Sequence, residues 1–155
     1  MSPIDPPEEH DRTRFVLMHP SHAGNVGAAA RAIKVMGFSG LVLVAPRRAD
    51  VLAQPQALAM ASGADDVLAR ARVVQTLDEA LHGMQFVCAT AMTPRDFGPP
   101  TSTPREHLPP LAKTDHRVAF IFGSERYGMS NEDVYRCHVA LSIPANPDYG
   151  SLNLA

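Results

Sequence analysis

No run in this 155-residue chain is long and apolar enough to cross a membrane. Its opening, "MSPIDPPEEHDRTR", lacks the basic end and apolar core of a secretory leader. Cysteine is scarce. Cys88 and Cys137 stand far apart, each in or beside an apolar run, which is the pattern of buried free thiols and not of a disulfide framework. These absences lead to the expectation of a cytoplasmic protein with residues 1–13 as a flexible arm. Excess positive charge is missing too. Fourteen Lys and Arg stand against sixteen Asp and Glu, a net charge of −2, so any nucleic-acid contact has to be a local patch. Lysine is nearly absent from that basic set: twelve of the fourteen are Arg, the side chain that grips phosphate with a planar fork.

What remains, 45% apolar and 19% charged residues, suits one globular domain with a real core. Short apolar runs alternate with helical spacing. Strands are expected at "RFVLM" (14–18), "LVLVA" (41–45), "RVV" (72–74), "FVCAT" (86–90), "RVAFIF" (117–122) and "HVALSI" (138–143). Helices are expected at 24–37, where Val26, Ala29, Ala30, Ile33 and Met36 form one apolar stripe, and at 54–62, opened by a proline and stopped by Gly63. Two more carry capping-box spacing, Thr76 with Glu79 in 76–83 and Ser130 with Asp133 in 130–137. Residues 94–104 read as a loop, and 104–111 as no more than a helical turn before Pro109 and Pro110. The alternation predicts an α/β fold: a largely parallel, buried sheet with helices on both faces, in a single domain over residues 14–155.

Three stretches hold more glycine and polar residues than a connection needs, and each follows a strand, where ligands gather in open α/β sheets. In "HPSHAGNVGAAAR" (19–31), Gly24 and Gly27 are expected to let the backbone turn tightly into a helix whose free amides attract an anion. The spacing is neither G-x-G-x-x-G nor a Walker loop, and Arg47 and Arg48 stand where a dinucleotide site keeps an acid. An oxidoreductase gripping NADP with those arginines is one alternative enzyme class. Arg31, a guanidinium among alanines, reads from spacing as a surface residue whose stem covers apolar area. In "FGSERYGMSNED" (122–133), Gly123 and Gly128 permit two sharp bends with Glu125 between them, free to orient a backbone or pair with an Arg. In "IPANPDYGSLNLA" (143–155), Pro144, Pro147 and Gly150 stiffen a loop whose backbone groups are left to read the edge of a flat ligand, and Ser151 or Asn153 can cap a helix. His19 and His22 lack a second ligand pair, so no metal site is expected, and no Gly-x-Ser-x-Gly elbow supports a hydrolase.

Taken in order, "SHAGNVGAAARAIKVMGFSGLVLVAP", "FIFGSERYGMSNEDVYRCH" and "IPANPDYGSLNLA" resemble the three signature motifs of the SpoU–TrmH branch of the SPOUT methyltransferases. Their wording is closest to the TrmJ-like tRNA (cytidine/uridine-2'-O-)-methyltransferases, and the likeness runs from about Arg14 to the last residue. The resemblance implies a C-terminal trefoil knot, which physical base rates alone disfavour, with S-adenosylmethionine (SAM) between the knotted loops. It implies cofactor contacts at Thr90, Ala91 and Met92, at Gly123, at Ile143 and Pro144, and at Ser151, Leu152 and Asn153. It also implies catalytic roles for Arg31, Asn25 and Glu125 in methyl transfer to a ribose 2′-hydroxyl of RNA, foremost in the tRNA anticodon loop, by a homodimer. Arginine keeps its proton at any ordinary pH, so Arg31 is expected to act as an electrostatic clamp and not as a base. Ribosomal RNA is the alternative substrate, and a non-catalytic RNA- or nucleotide-binding module the alternative class. The chain departs from the family pattern at "CATAMTPR", where members more often read Gly-Thr-Ser-Ala-Arg, so backbone roles carry over there better than side-chain roles. "SLNLA" begins the family's final helix, and the expectation is a chain truncated within it.

Overall fold

Strands that alternate with helices and are apolar on both sides of the pleat have to be covered on both faces. The computed structural model, which describes residues 12–91, 98–149, 152 and 154, has this arrangement. Seven strands form one sheet: β1 (Thr13–Met18), β2 (Gly40–Val44), β3 (Arg72–Val74), β4 (Phe86–Thr90), β5 (Thr101–Ser102), β6 (Val118–Phe122) and β7 (Val139–Leu141). Their order is β3-β2-β1-β6-β4-β7-β5, and every pairing is parallel. The chain runs outward from β1 to β2 and β3, then crosses to β4 on the far side of β6. A crevice at the carboxyl ends belongs at such a reversal.

The pleat sorts the core into two layers. On one face Leu17, Leu41 and Leu43 pack against Val26, Ala30 and Ile33 of α1 (Ala23–Val35), Ala57 and Ala61 of α2 (Pro55–Ala61), and Val67 and Leu68 of α3 (Asp65–Arg70). On the other, Val16, Met18, Val42 and Val44 pack against Leu77 and Ala80 of α4 (Leu77–Ala80) and Val134 of α6 (Asn131–Tyr135). Both expected capping boxes are present: Thr76 Oγ1 accepts the Glu79 amide at 3.2 Å and Ser130 Oγ accepts the Asp133 amide at 3.1 Å. Cys88 and Cys137 are buried free thiols, both pushed up to about 12 by burial.

Several elements correct the reading from sequence. Gly24 and Gly27 do not form the turn before α1; they lie inside it, since the helix begins at Ala23. A Cβ on Gly27 would stand 2.1 Å from the Ala57 carbonyl oxygen, so this glycine is there to let α1 and α2 touch. Gly27→Ala is expected to cost about 2 kcal/mol through overpacking and to lower Tm by roughly 4–8 °C. A thermal melt checks this, and an unchanged Tm would rule out the tight helix contact. Met36 leaves the apolar stripe: α1 stops at Val35, and Met36 is 71% exposed at its C-cap. α5 (Pro104–Ala112) continues through Pro109 and Pro110, where only a single turn was expected. Thr103 caps it through the Glu106 amide, Leu108 and Leu111 pack on the Phe86–Cys88 cluster, and both interior prolines lie at exposed positions. α3 and the two-residue β5 were not foreseen.

Candidate active site

The strand β6 ends at Phe122 and the chain immediately doubles back. Ser124 and Gly128 exchange backbone hydrogen bonds of 3.2 and 2.9 Å, and the Tyr127 amide donates to Ser124 Oγ at 3.0 Å. Gly128 takes φ +66°, which closes the loop. Gly123 permits this closure by having no side chain: a Cβ there would lie 2.2 Å from the Gly128 carbonyl carbon. The tip of the loop is Glu125, Arg126 and Tyr127.

Glu125 turns toward the start of α1. One carboxylate oxygen accepts the Ser21 amide at 3.3 Å and the Ser21 hydroxyl at 3.1 Å, while the other accepts Asn25 Nδ2 at 3.5 Å. The N-cap residue His22 makes no side-chain cap, and the first turn of α1 contains no acid. Glu125 therefore supplies from a distant loop the negative charge that a helix N-terminus favours. The anion expected at this helix end is, in the structure, the protein's own carboxylate. Burial pushes the Glu125 carboxyl up, but its own backbone amide together with the Ser21 and Asn25 donors outweighs burial and holds it below its ordinary value of 4.5. A carboxyl depressed by folding contributes stability that is present above its unfolded value and is lost as pH falls through the folded one. The Ser21–Glu125–Asn25 clamp is thus expected to persist at pH 5 and to release only in more acidic solution. A carbon-13 NMR titration of the Glu125 carboxyl with a midpoint above 4.5 would contradict it.

Of the three residues expected to catalyse, Asn25 and Glu125 are joined and Arg31 stands apart. Arg31 is exposed on α1, about 9 Å further along the axis than Asn25 and about 240° around it by helical geometry. Among the described residues it makes no hydrogen bond and no ion pair. Ser21, which the sequence reading passed over, is the clamp's main donor. A serine just ahead of a helix was the available signal, since that residue type commonly serves helix starts.

Four of the nine expected cofactor residues meet on the α1 side of the sheet. Thr90, Ala91, Ile143 and Leu152 line one apolar groove of about 600 Å³ whose floor includes Phe15 and Phe122 and whose flanks are α1 and α5. The Thr90 hydroxyl donates to the Ile121 carbonyl at 2.9 Å and the Ala91 amide to the Leu141 carbonyl at 3.0 Å, so both are tied into the sheet. Gly123 follows Phe122 at the edge of this groove without lining it, and Pro144 is exposed beyond Ile143. Past Pro144 the chain makes a tight turn, with Asp148 N donating to Asn146 Oδ1 at 3.0 Å and Tyr149 N to the Asn146 carbonyl at 3.1 Å. Met92, Ser151 and Asn153 lie outside the described residues, as does most of the expected arm. Leu152 and Leu154 stand in no helix and meet the groove. Among the described residues no helix is long and apolar enough to cross a membrane, and no group of three His, Cys, Asp or Glu side chains could hold a metal ion.

Fold and site together define an α/β protein with an apolar cleft at the carboxyl ends of an all-parallel sheet. The chain belongs to the SpoU rRNA methylase family, whose profile matches residues 12–155. It is 46% identical over 144 residues to the tRNA (cytidine/uridine-2'-O-)-methyltransferase TrmJ of Klebsiella pneumoniae, covering 92% of this chain and 58% of that protein. Among solved structures, a probable methyltransferase from Bordetella pertussis Tohama I superposes with a TM-score of 0.80 at 48% identity, covering 95% of this chain and 89% of that one. TrmJ from Z. mobilis ZM4 superposes with a TM-score of 0.83 at 37% identity, covering 92% and 63%. The chain spans between 55% and 60% of the length of the curated relatives it matches.

Proposed function

We propose that this domain transfers the methyl group of SAM to a ribose 2′-hydroxyl of tRNA. The observation that carries the reading is convergence. Ser21 and Asn25 from the first glycine-rich stretch touch Glu125 from the second, while Phe122 from the second shares a groove with Ile143 and Leu152 from the third. Membership of a methylase family and the likeness to a TrmJ protein supply the reaction class. The groove fits SAM: its apolar walls suit a ring face, and β7 ends at Leu141, so the backbone groups of Ile143 and Pro144 lie beyond the strand ladder and can meet a ring edge. Thr90 to Met92, Gly123, Ile143 with Pro144, and Ser151 to Asn153 are the residues assigned to hold it.

SAM supplies an electrophilic methyl group on a sulfonium. The residues of this chain then have three tasks. The loops at the ends of β4, β6 and β7 would hold the donor and limit its approach to the ribose oxygen, and such positioning can supply much of the acceleration. Glu125, clamped to Ser21 and Asn25, sets the shape of the acceptor side. Arg31 grips phosphate and stabilises the negative charge that develops on the attacking oxygen as its proton leaves to solvent. The same reading includes residues 14–155 as one methyltransferase domain in the cytoplasm, a C-terminal trefoil knot, a homodimer that completes the RNA site, and the anticodon loop as the target.

Two measurements test it. Calorimetry with SAM and with S-adenosylhomocysteine should show binding of both, and mass-spectrometric mapping of tRNA and rRNA incubated with protein and SAM should show a new 2′-O-methyl group in tRNA. Retained tRNA affinity with no SAM binding would make the domain a non-catalytic module. Methylation confined to rRNA would move the substrate.

A further inference from the structure

A second cavity, of about 470 Å³, opens at the ends of β1, β2 and β6. It shares no lining residue with the groove assigned to SAM, although both are bounded by β1. Its wall includes His19, Arg47, Arg126, Tyr127 and Asp133. Ser21 belongs to the same wall and also binds Glu125, so the cavity begins where the clamp ends.

Backbone conformation marks this place. Three non-glycine residues with positive φ occur among the described residues, and Ser62 is one of them, closing α2 as helix ends often do. The other two, His19 (φ +48°) and Ala45 (φ +42°), stand side by side on the cavity wall. They are held by His19 N–H to the Val44 carbonyl (2.8 Å), Ala45 N–H to the Val74 carbonyl (2.7 Å), and a 3.2 Å contact of His19 Nδ1 with the Ala45 carbonyl. Strained backbone held in this way is concentrated at ligand sites. The side chains add the chemistry. Tyr127 is 76% exposed with the Arg126 guanidinium 5.3 Å from its ring centre. Arg47 is anchored through its amide to the Pro20 carbonyl at 3.1 Å, while its exposed guanidinium bonds to no described residue. Asp133 is an acceptor that repels phosphate and favours the amino edge of a base.

We propose that this cavity is the subsite for the nucleotide next to the one methylated, with its phosphate on Arg47 and Arg126 and its base stacked on Tyr127. The proposal rests on the RNA methyl-transfer reading above. Neighbouring strands lie about 4.8 Å apart, so β2 is about 10 Å from β6, a distance that one nucleotide spans. An RNA strand crossing the Glu125 loop then reaches the cavity with one residue while presenting the next to SAM.

The test uses a fluorescent single-stranded RNA dodecamer without cofactor, read by anisotropy, alongside steady-state methylation of tRNA and calorimetry with SAM. Arg47→Ala is expected to weaken RNA binding about tenfold at physiological salt and to lower the slope of log affinity against log salt by about one. Tyr127→Ala is expected to weaken it by a similar factor, and Tyr127→Phe, which keeps the ring, to restore it. Both alanine variants should raise the KM for tRNA with kcat and SAM affinity kept. Wild-type RNA affinity and salt slope in both alanine variants would overturn the subsite, as would a wild-type protein that binds no RNA. A wild-type protein that binds RNA and SAM but transfers no methyl would overturn the proposed function instead, and the variants would still decide whether the cavity holds a nucleotide.

Discussion

Arg31→Ala is expected to slow methyl transfer by on the order of 10²–10³-fold while Tm and SAM affinity keep their wild-type values. The size follows from the task. A ribose hydroxyl is a poor nucleophile, and removing one preorganised positive group from a developing oxyanion typically costs that much. The selectivity follows from where the residue stands. Arg31 is exposed, it has no hydrogen bond or ion pair among the described residues, and α1 is already rich in alanine around it. Alanine is the better helix former, so loss of fold cannot account for loss of rate. The groove assigned to SAM is lined by Ala29, Ala32 and Ile33 of α1 and by its C-cap Met36, not by Arg31, so donor affinity has no reason to change. Arg31→Lys keeps the charge but not the planar fork and should recover only part of the rate. Melting curves, calorimetry with SAM and single-turnover methylation of tRNA separate these quantities. Wild-type turnover in the alanine variant would remove Arg31 from the mechanism.

Sequence and structure agree most where local chemistry decides. The runs at Phe15–Leu17, Val87–Ala89 and Ala119–Ile121 are apolar on both faces because parallel strands are covered on both sides, and all three are sheet strands. The capping boxes at Thr76 and Ser130 likewise need only a neighbouring amide three residues on. Agreement stops where a partner lies far along the chain. The reason for Gly27 is Ala57, thirty residues later, and no local pattern separates a glycine that turns a chain from one that admits a second helix. Pro109 and Pro110 stop a helix in isolation, but Leu108 and Leu111 have an apolar wall beside Phe86 to hold them. β5 is two residues long and exists only because β7 pairs with it. The site shows the same division. The bends after β6 and β7 were legible as strand-end loops, whereas Gly24 and Gly27 belong to a helix and the Ser21–Glu125 contact joins positions 104 residues apart. Arg31 entered through the resemblance to a family, since its spacing pointed to a surface residue, and its exposure agrees with that spacing.

Gly123→Ala should damage both fold and reaction, and the two losses are separable. The three atoms nearest a Cβ at this position would all be backbone: the Gly128 carbonyl carbon at 2.2 Å, the Met129 nitrogen at 2.4 Å and the Gly128 carbonyl oxygen at 2.6 Å. Backbone atoms cannot rotate out of the way as a side-chain end can, so the Ser124–Gly128 loop has to shift as a unit. A cost of about 3 kcal/mol is expected, at the upper end for overpacking, with a Tm lower by roughly 6–12 °C. Gly128 provides the contrast. It has φ +66° and open space where a Cβ would stand, so alanine there brings conformational strain without collision and a cost of about 1–2 kcal/mol. The functional loss follows from what the loop holds. Moving it withdraws Glu125 from Ser21 and Asn25 and displaces the turn that follows Phe122 at the edge of the groove assigned to SAM. Methylation measured well below the variant's own Tm, where the chain is still folded, should therefore fall at least tenfold, because a misplacement of about 1 Å near a reacting centre costs that much or more. Full activity at that temperature, with the lowered Tm, would mean that Gly123 serves packing alone.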